Sequence, residues 1–134
     1  MSYAAAAAVQ AAIYGRLRAD AALGALVGEA IFDAVPPGAP PELYVVLGPE
    51  VVLDASDASG RGAEHRLTVS VVSTTGFAPA KAAAAAVSEA LEGAEMALGR
   101  GRLVGIWFRR AEARRREQGT MRRIDLSFRA RVEI

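Results

Sequence analysis

The sequence predicts an α+β fold: two helices packed on one face of a mainly antiparallel sheet, with a long C-terminal β-hairpin. Three observations predict it. Two stretches space their apolar residues at helical intervals. Several runs alternate apolar and polar residues, as half-buried strands do. The order is helix, strands, helix, hairpin, which lets both helices cover one sheet face. The chain has 134 residues, the size of one domain, 1–134, since domains of roughly 100–150 residues are commonest. Apolar residues make up 52% of the chain, but alanine inflates that figure, and only four Phe, one Trp and three Tyr add aromatic volume. Val, Leu and Ile must therefore build the core, with alanines letting backbones approach.

Ser2 can cap a helix starting at Tyr3, and Val9, Ile13 and Leu17 then form one stripe to about Ala19. Asp20 caps a short second turn holding Leu23, Leu26 and Val27, and Gly28 ends it. Ile31-Phe32 starts a short strand. Pro36-Pro37-Gly38-Ala39-Pro40-Pro41 follows as a stiff extended loop. Leu43 to Leu47 is a compact apolar run that resumes at Val51 to Leu53, after Gly48-Pro49. Asp54 to Gly62 reads as a mobile polar loop. His65 to Ser73 alternates as a strand. Pro79 suits a first helical position, and Ala84, Val87, Leu91, Ala94 and Leu98 repeat at helical spacing. Gly93 is a second possible end for that helix. Leu103 to Ala111 reads as a strand and Arg114 to Gly119 as a turn or loop. From Ile124 to Ile134 the alternation is strict, with Asp125, Ser127, Arg129, Arg131 and Glu133 on the polar side. These last two strands should pair as a hairpin, with at least one of Trp107 and Phe108 in the core.

Charge is divided along the chain. Residues 1–99 carry five basic and eleven acidic groups, a net −6, whereas residues 100–134 carry eleven arginines and four acidic groups, a net +7. Fifteen of the sixteen basic residues are arginine. A GC-rich genome accounts for arginine over lysine but not for the clustering. Such asymmetry suits either a nucleic-acid surface or a charge-complementary contact between subunits.

Catalytic chemistry finds little support. There is no cysteine, so disulfides and thiolate metal sites are excluded. His65 is the lone histidine, no serine sits in a Gly-x-Ser-x-Gly elbow, and a surface position at a strand start is the expected reading. Asp54 and Asp57 lack the closing Glu of a calcium loop. Gly99-Arg100-Gly101-Arg102 precedes a strand instead of following one, so it is a turn and not a dinucleotide fingerprint. Glu89, Glu92 and Glu95 form a helical row, a solvated face or a partner for a neighbour's arginines. No cofactor or metal is expected. The N-terminal apolar run from Ala4 to Ile13 is too short to span a bilayer, and no basic residue precedes it, so cytoplasm is the default compartment.

Seven arginines, Arg109, Arg110, Arg114, Arg115, Arg116, Arg122 and Arg123, are expected to cluster near the hairpin's outer end, with Arg129 and Arg131 further along. A solvated loop, a nucleic-acid contact and one half of a subunit interface are all open readings. No recognition helix or stacking platform accompanies the cluster, so any DNA contact would be non-specific.

The order and spacing of several segments carry a family resemblance over nearly the whole chain. They are the opening helix, Asp20 to Gly28, Ile31-Phe32-Asp33, the prolines leading into Leu43-Tyr44-Val45-Val46-Leu47-Gly48, the strand from His65 to Val72, Ala90-Leu91-Glu92-Gly93, Arg102-Leu103-Val104, and the Arg-rich hairpin ending Phe128-Arg129-Ala130-Arg131-Val132. The chain resembles the small tail-terminator (tail-completion) proteins of long-tailed phages, in the branch found in alphaproteobacterial gene transfer agents. A minor departure is Pro41-Glu42 ahead of Leu43-Tyr44. The resemblance implies a six-membered homo-oligomeric ring at the head-proximal end of the tail tube. Such a ring stops tube polymerisation, meets the head stopper or connector, and passes DNA through its lumen as cargo. It implies assembly in the cytoplasm, then residence in a phage-like particle, with no membrane contact and no catalytic residues. Candidate contacts to subunits, partners or DNA are the nine hairpin arginines with Glu89, Glu92, Asp54 and Asp57. A stopper or adaptor and a nucleic-acid-binding module are the competing readings.

Overall fold

The computed structural model describes residues 3–58 and 60–134. In chain order it forms α1 (Ala6–Ala19), α2 (Ala21–Val27), β1 (Ile31–Phe32), β2 (Leu43–Asp54), β3 (Gly62–Ser73), α3 (Phe77–Leu91), β4 (Arg102–Arg116), a turn at Glu117–Gly119, and β5 (Met121–Glu133). The five strands form one sheet in the order β1-β2-β3-β5-β4. Only β1 and β2 run parallel; the other pairs are antiparallel. The fold class is therefore as the periodicities predict, with the short α2 as a third helix.

Local sequence explains the helices. In α1 the buried residues are Ala6, Val9, Ile13 and Leu17, the predicted stripe. The helix begins at Ala6, not Tyr3, and Ser2 lies outside the described residues. Asp20 ends α1 and caps α2, its Oδ2 accepting the Leu23 N–H at 2.9 Å. In α3, Ala80, Ala83, Ala84, Val87, Ala90 and Leu91 are buried. Four small side chains bring this helix close to the sheet. Phe77 is its first residue, so Pro79 sits third, still within the turn whose N–H groups have no intrahelical partner. The helix stops at Leu91, and Gly93, at φ +66°, donates its N–H to Ile106 O on β4 at 2.9 Å. Ala94 to Leu98 is thus an extended piece against the core, the earlier of the two possible ends.

All three helices lie on one sheet face. Val45, Leu67, Val69, Val71, Ile106, Ile124, Leu126, Phe128, Ala130 and Val132 point into the core they share with Val9, Ile13, Leu17, Leu23, Val87 and Leu91. Burying each larger aliphatic side chain contributes about 1.5–3 kcal/mol. Gly48-Pro49 does not interrupt β2; a bulge between Leu47 and Glu50 absorbs it. The expected mobile loop is a hairpin connection held by side chains. Ser56 Oγ donates to Asp54 Oδ1 at 2.8 Å and accepts the Gly62 N–H at 3.2 Å.

The expectation for His65 fails. It is fully buried on the core side of β3, between Val52 and Ala130, and neither ring nitrogen has a hydrogen-bond partner. Strand alternation puts it in step with Leu67 and Val69, and that register outweighs the polarity of its flanks, Glu64 and Arg66.

Candidate assembly surface

The β4–β5 hairpin carries the predicted arginines along the length of one sheet edge. Register pairs Arg114 with Arg123, Arg115 with Arg122 and Arg116 with Met121. Five arginines therefore share the tip, and Arg114 to Arg116 are strand, not loop. The turn is confined to Glu117–Gly119, where Glu117, Gln118 and Gly119 all have positive φ (51°, 56° and 88°). Arg109 and Arg110 do not join the tip. They sit mid-strand at a bulge between Phe108 and Arg110, about 20 Å from Arg116 at roughly 3.3 Å per residue. Arg129 and Arg131 lie at the far end of β5, opposite Trp107 and Gly105.

Alternation sends Arg66, Thr68, Ser70, Arg123, Asp125, Ser127, Arg129 and Arg131 to the face away from the helices. Here most of the arginines are engaged with acids of their own or a neighbouring strand. Asp125 is the hub: it accepts Ser70 Oγ at 2.6 Å, Arg123 Nε at 2.9 Å and Arg114 Nη2 at 3.3 Å. Burial pushes the Asp125 carboxyl up, but the bonds from Ser70 and Arg123 and the Arg123 charge outweigh it and hold it below its ordinary value. Glu112 lies 2.8 Å from Arg114 and 3.8 Å from Arg110. Glu64 lies 2.7 Å from Arg66 and 3.7 Å from Arg129. Arg131 donates to Ala55 O at 2.7 Å, and Arg122 to Gly119 O at 2.5 Å while stacking on Phe77.

Trp107 and Phe108 are both partly exposed, at 37% and 40%, so neither is a core residue in the expected sense. Phe108 packs edge-on against Phe128, centroids 5.9 Å apart. The Trp107 ring lies along the outer face with the Arg129 guanidinium 5.0 Å from its centroid. Gly105 makes room for it: a Cβ there would stand 2.5 Å from the indole.

The acidic candidates do not gather. Glu89 is exposed on α3, but Glu92 lies past its end and accepts the backbone N–H of Phe108 at the β4 bulge. The expected row through Glu95 therefore breaks where the helix stops. Asp54 ends β2 and Asp57 sits in the β2–β3 connection, at the end of the sheet opposite the arginine tip, about 35–40 Å away along twelve-residue strands.

Sequence reading missed a cleft at the other edge. Tyr3 ahead of α1, Gln10 and Tyr14 on it, Asp33 after β1 and Glu50 on β2 line an open hollow of about 470 Å³. Gln10 Nε2 donates to Asp33 Oδ1 at 2.7 Å, and Tyr3 Oη to Glu50 Oε1 at 2.5 Å. Glu29 and Glu42 stand close by in the chain, before β1 and β2. Because β1 and β4 are the two ends of the strand order, Glu29, Asp33 and Glu42 stand at the sheet edge away from the β4 arginines, whereas Glu50 also lines an outer-face hollow with Arg109 and Arg110.

Among the described residues no group of three or more His, Asp or Glu could hold a metal ion, and no helix is long and apolar enough to cross a membrane. The model of the family "Tail completion protein gp17" matches residues 11–133. A solved chain from the "Virion of native gene transfer agent (GTA) particle" is 64% identical and superposes with a TM-score of 0.94, covering 99% of this chain and 100% of that one. No curated protein matches the sequence.

Proposed function

This chain belongs to the tail completion protein gp17 family, and from that premise we propose that it is a structural component of a gene-transfer-agent-type particle, closing the head-proximal end of the tail. In this reading copies join head to tail into a six-membered ring, halt growth of the tail tube and receive the head's stopper or connector. DNA passes through the lumen without specific recognition, and no catalytic step is involved. Assembly takes place in the cytoplasm.

One observation carries the reading: a solved chain of a gene transfer agent virion matches nearly the whole length of both chains at 64% identity. The surface supports it in two ways. Opposite-edge charge favours a heterologous contact, which closes into a ring when the rotation allows. The β2–β3 connection and the arginine tip point out of opposite ends of the sheet, which suits a part with one neighbour above and one below. A nucleic-acid-binding module is less well supported, because Arg110, Arg114, Arg123 and Arg129 already face carboxylates of their own sheet.

The test is electron microscopy of particles from producing cells lacking the gene. Overlong headless tails beside tailless, DNA-filled heads are expected. Tails of normal length that fail to attach would assign the chain to a stopper or adaptor position instead, and unaltered infective particles would overturn the structural role.

A further inference from the structure

We propose that the bare tip half of β4 on one copy pairs with β1 of the next, so that the five-stranded sheets run on into one another around the ring. This rests on the ring reading above and names the strands that would join its copies.

β4 is protected over one half and bare over the other. Between Arg102 and Arg110 two bulges, after Leu103 and after Phe108, break its edge. The chain leaving α3 covers the same half, with the Gly93 N–H on Ile106 O and the Glu92 carboxylate on the Phe108 N–H. From Arg110 to Arg116 the register with β5 is unbroken, and no strand lies on the other side. Such an edge is a template for another strand. An apolar groove of about 280 Å³ runs beside it, between Lys81, Ala84 and Ala85 of α3 and Phe108, Ala111 and Ala113 of β4. Ala111 and Ala113 pair with the core residues Leu126 and Ile124, so they share the helix side of the sheet, yet both are exposed.

The next copy's β1 fits this edge in level, direction and charge. Ala113 stands in one row with Ile124, Val71, Val45 and Ile31, so when the rows run around the ring, Ile31 of the next copy arrives at the bare segment. β1 is parallel to β2, and three antiparallel pairings lead from β2 to β4, so β1 and β4 run in opposite directions. They therefore meet as an antiparallel pair, with the helices of both copies on one side. Ala30 O accepts the Val45 N–H, which turns the Ile31 carbonyl to the open side. Ala7, Ala11 and Tyr14 of α1 line the open hollow beside Asp33, and this side of the next copy would close the groove over Ala111 and Ala113. Glu29, two residues before Ile31, falls in the row of Leu43, Ser73, Arg122 and Arg115. Its side chain is 93% exposed, with Arg18 3.5 Å away. Arg115 is exposed and has no ion pair, hydrogen bond or ring contact among the described residues. Two β4 edges brought together would set arginine against arginine, so the pairing selects head-to-tail order over a two-fold dimer.

The chain has no cysteine, so introduced thiols give a clean readout. Particles are made in cells lacking the native gene from a chain carrying Glu29→Cys with Arg115→Cys, and then oxidised. Within one copy four strand spacings, roughly 19 Å, separate these positions, too far for a disulfide, which needs Cα atoms within about 7 Å. Covalent dimers up to hexamers are expected on denaturing gels without reductant. Glu29→Cys with Arg102→Cys, at the other end of β4, should give none. Ala113→Arg, at an exposed position, should keep the native melting temperature and lose control of tail length. Should the cysteines keep the chain out of particles, a charge exchange decides: Glu29→Arg and Arg115→Glu are each expected to lengthen tails, and both together in one chain to restore normal length. Particles that hold the cysteine chain without cross-links, equal cross-linking through position 102, normal tails with Ala113→Arg, or an exchange no better than the single reversals would overturn this pairing and leave the ring itself standing. Normal tail lengths without the gene would remove the ring reading instead.

Discussion

His65 is a buried imidazole with nothing to bond to, and its cost is measurable. Desolvation pushes its pKa below the ordinary 6.5, and the negative Glu50 only partly opposes this. The unfolded chain takes up a proton near pH 6.5 while the folded chain resists it, so stability falls as pH drops below that value. His65→Leu should raise stability by about 1–3 kcal/mol, the cost of an unsatisfied buried polar group, and flatten the slope of stability between pH 6.5 and 5 in thermal melts. Asp125 behaves in the opposite sense among polar partners. Its folded carboxyl lies below the ordinary 3.8, so its contribution is present above that pH and disappears as pH falls through the folded value. Asp125→Asn should cost about 1–3 kcal/mol at pH 7, because the Ser70, Arg123 and Arg114 donors lose a charged acceptor. A chemical denaturation midpoint unchanged by that substitution would show that the hub is not structural. Neither role is legible from the sequence. His65 has polar flanks and reads as surface until strand register is known, and Ser70 and Asp125 meet only because β3 and β5 pair across a separation of 55 residues.

Elements with a period were legible and their ends were not. Val9, Ile13 and Leu17 mark α1, and strict alternation marks β5, because each pattern follows directly from helix or strand geometry. The ends depend on tertiary contacts: Glu92 leaves the helical row to cap the β4 bulge, and the arginines at 114 to 116 extend the strand because β5 offers partners for them. The two apolar halves of β2 read as separate runs because a bulge hides in the Gly48-Pro49 pair. The turn after β4 holds Glu117 and Gln118 at positive φ, a region that disfavours residues with a Cβ. Gln118→Gly should therefore stabilise the hairpin by about 0.5–1 kcal/mol, with the relief of that strain offset in part by a freer unfolded chain. A lower melting temperature would contradict the strained turn.

Across the whole molecule, the division of charge along the chain is only partly a division across the sheet. The order β1-β2-β3-β5-β4 puts Glu29, Asp33 and Glu42 at the edge away from the β4 arginines, while Glu64 and Glu92 sit beside the arginine strands. The cleft of Tyr3, Asp33 and Glu50 was invisible for the same reason, since it draws on three separate elements. The arginine cluster was half legible: the tip forms as expected, but Arg109, Arg110, Arg129 and Arg131 are spread along the edge and outer face, where Arg110 and Arg129 pair with Glu112 and Glu64. Contacts built on exposed charge weaken as salt shortens the screening length to about 3 Å at 1 M. The proposed ring should accordingly loosen between low and high salt, read as a fall in oligomer mass by light scattering, with the fold unchanged by circular dichroism.

The most direct measurement is averaged electron microscopy of the particle neck with a label on this chain. The account predicts one layer of label at the head end of the tail tube, six copies around the axis. Label at the distal tail tip, or scattered along the tube, would contradict it.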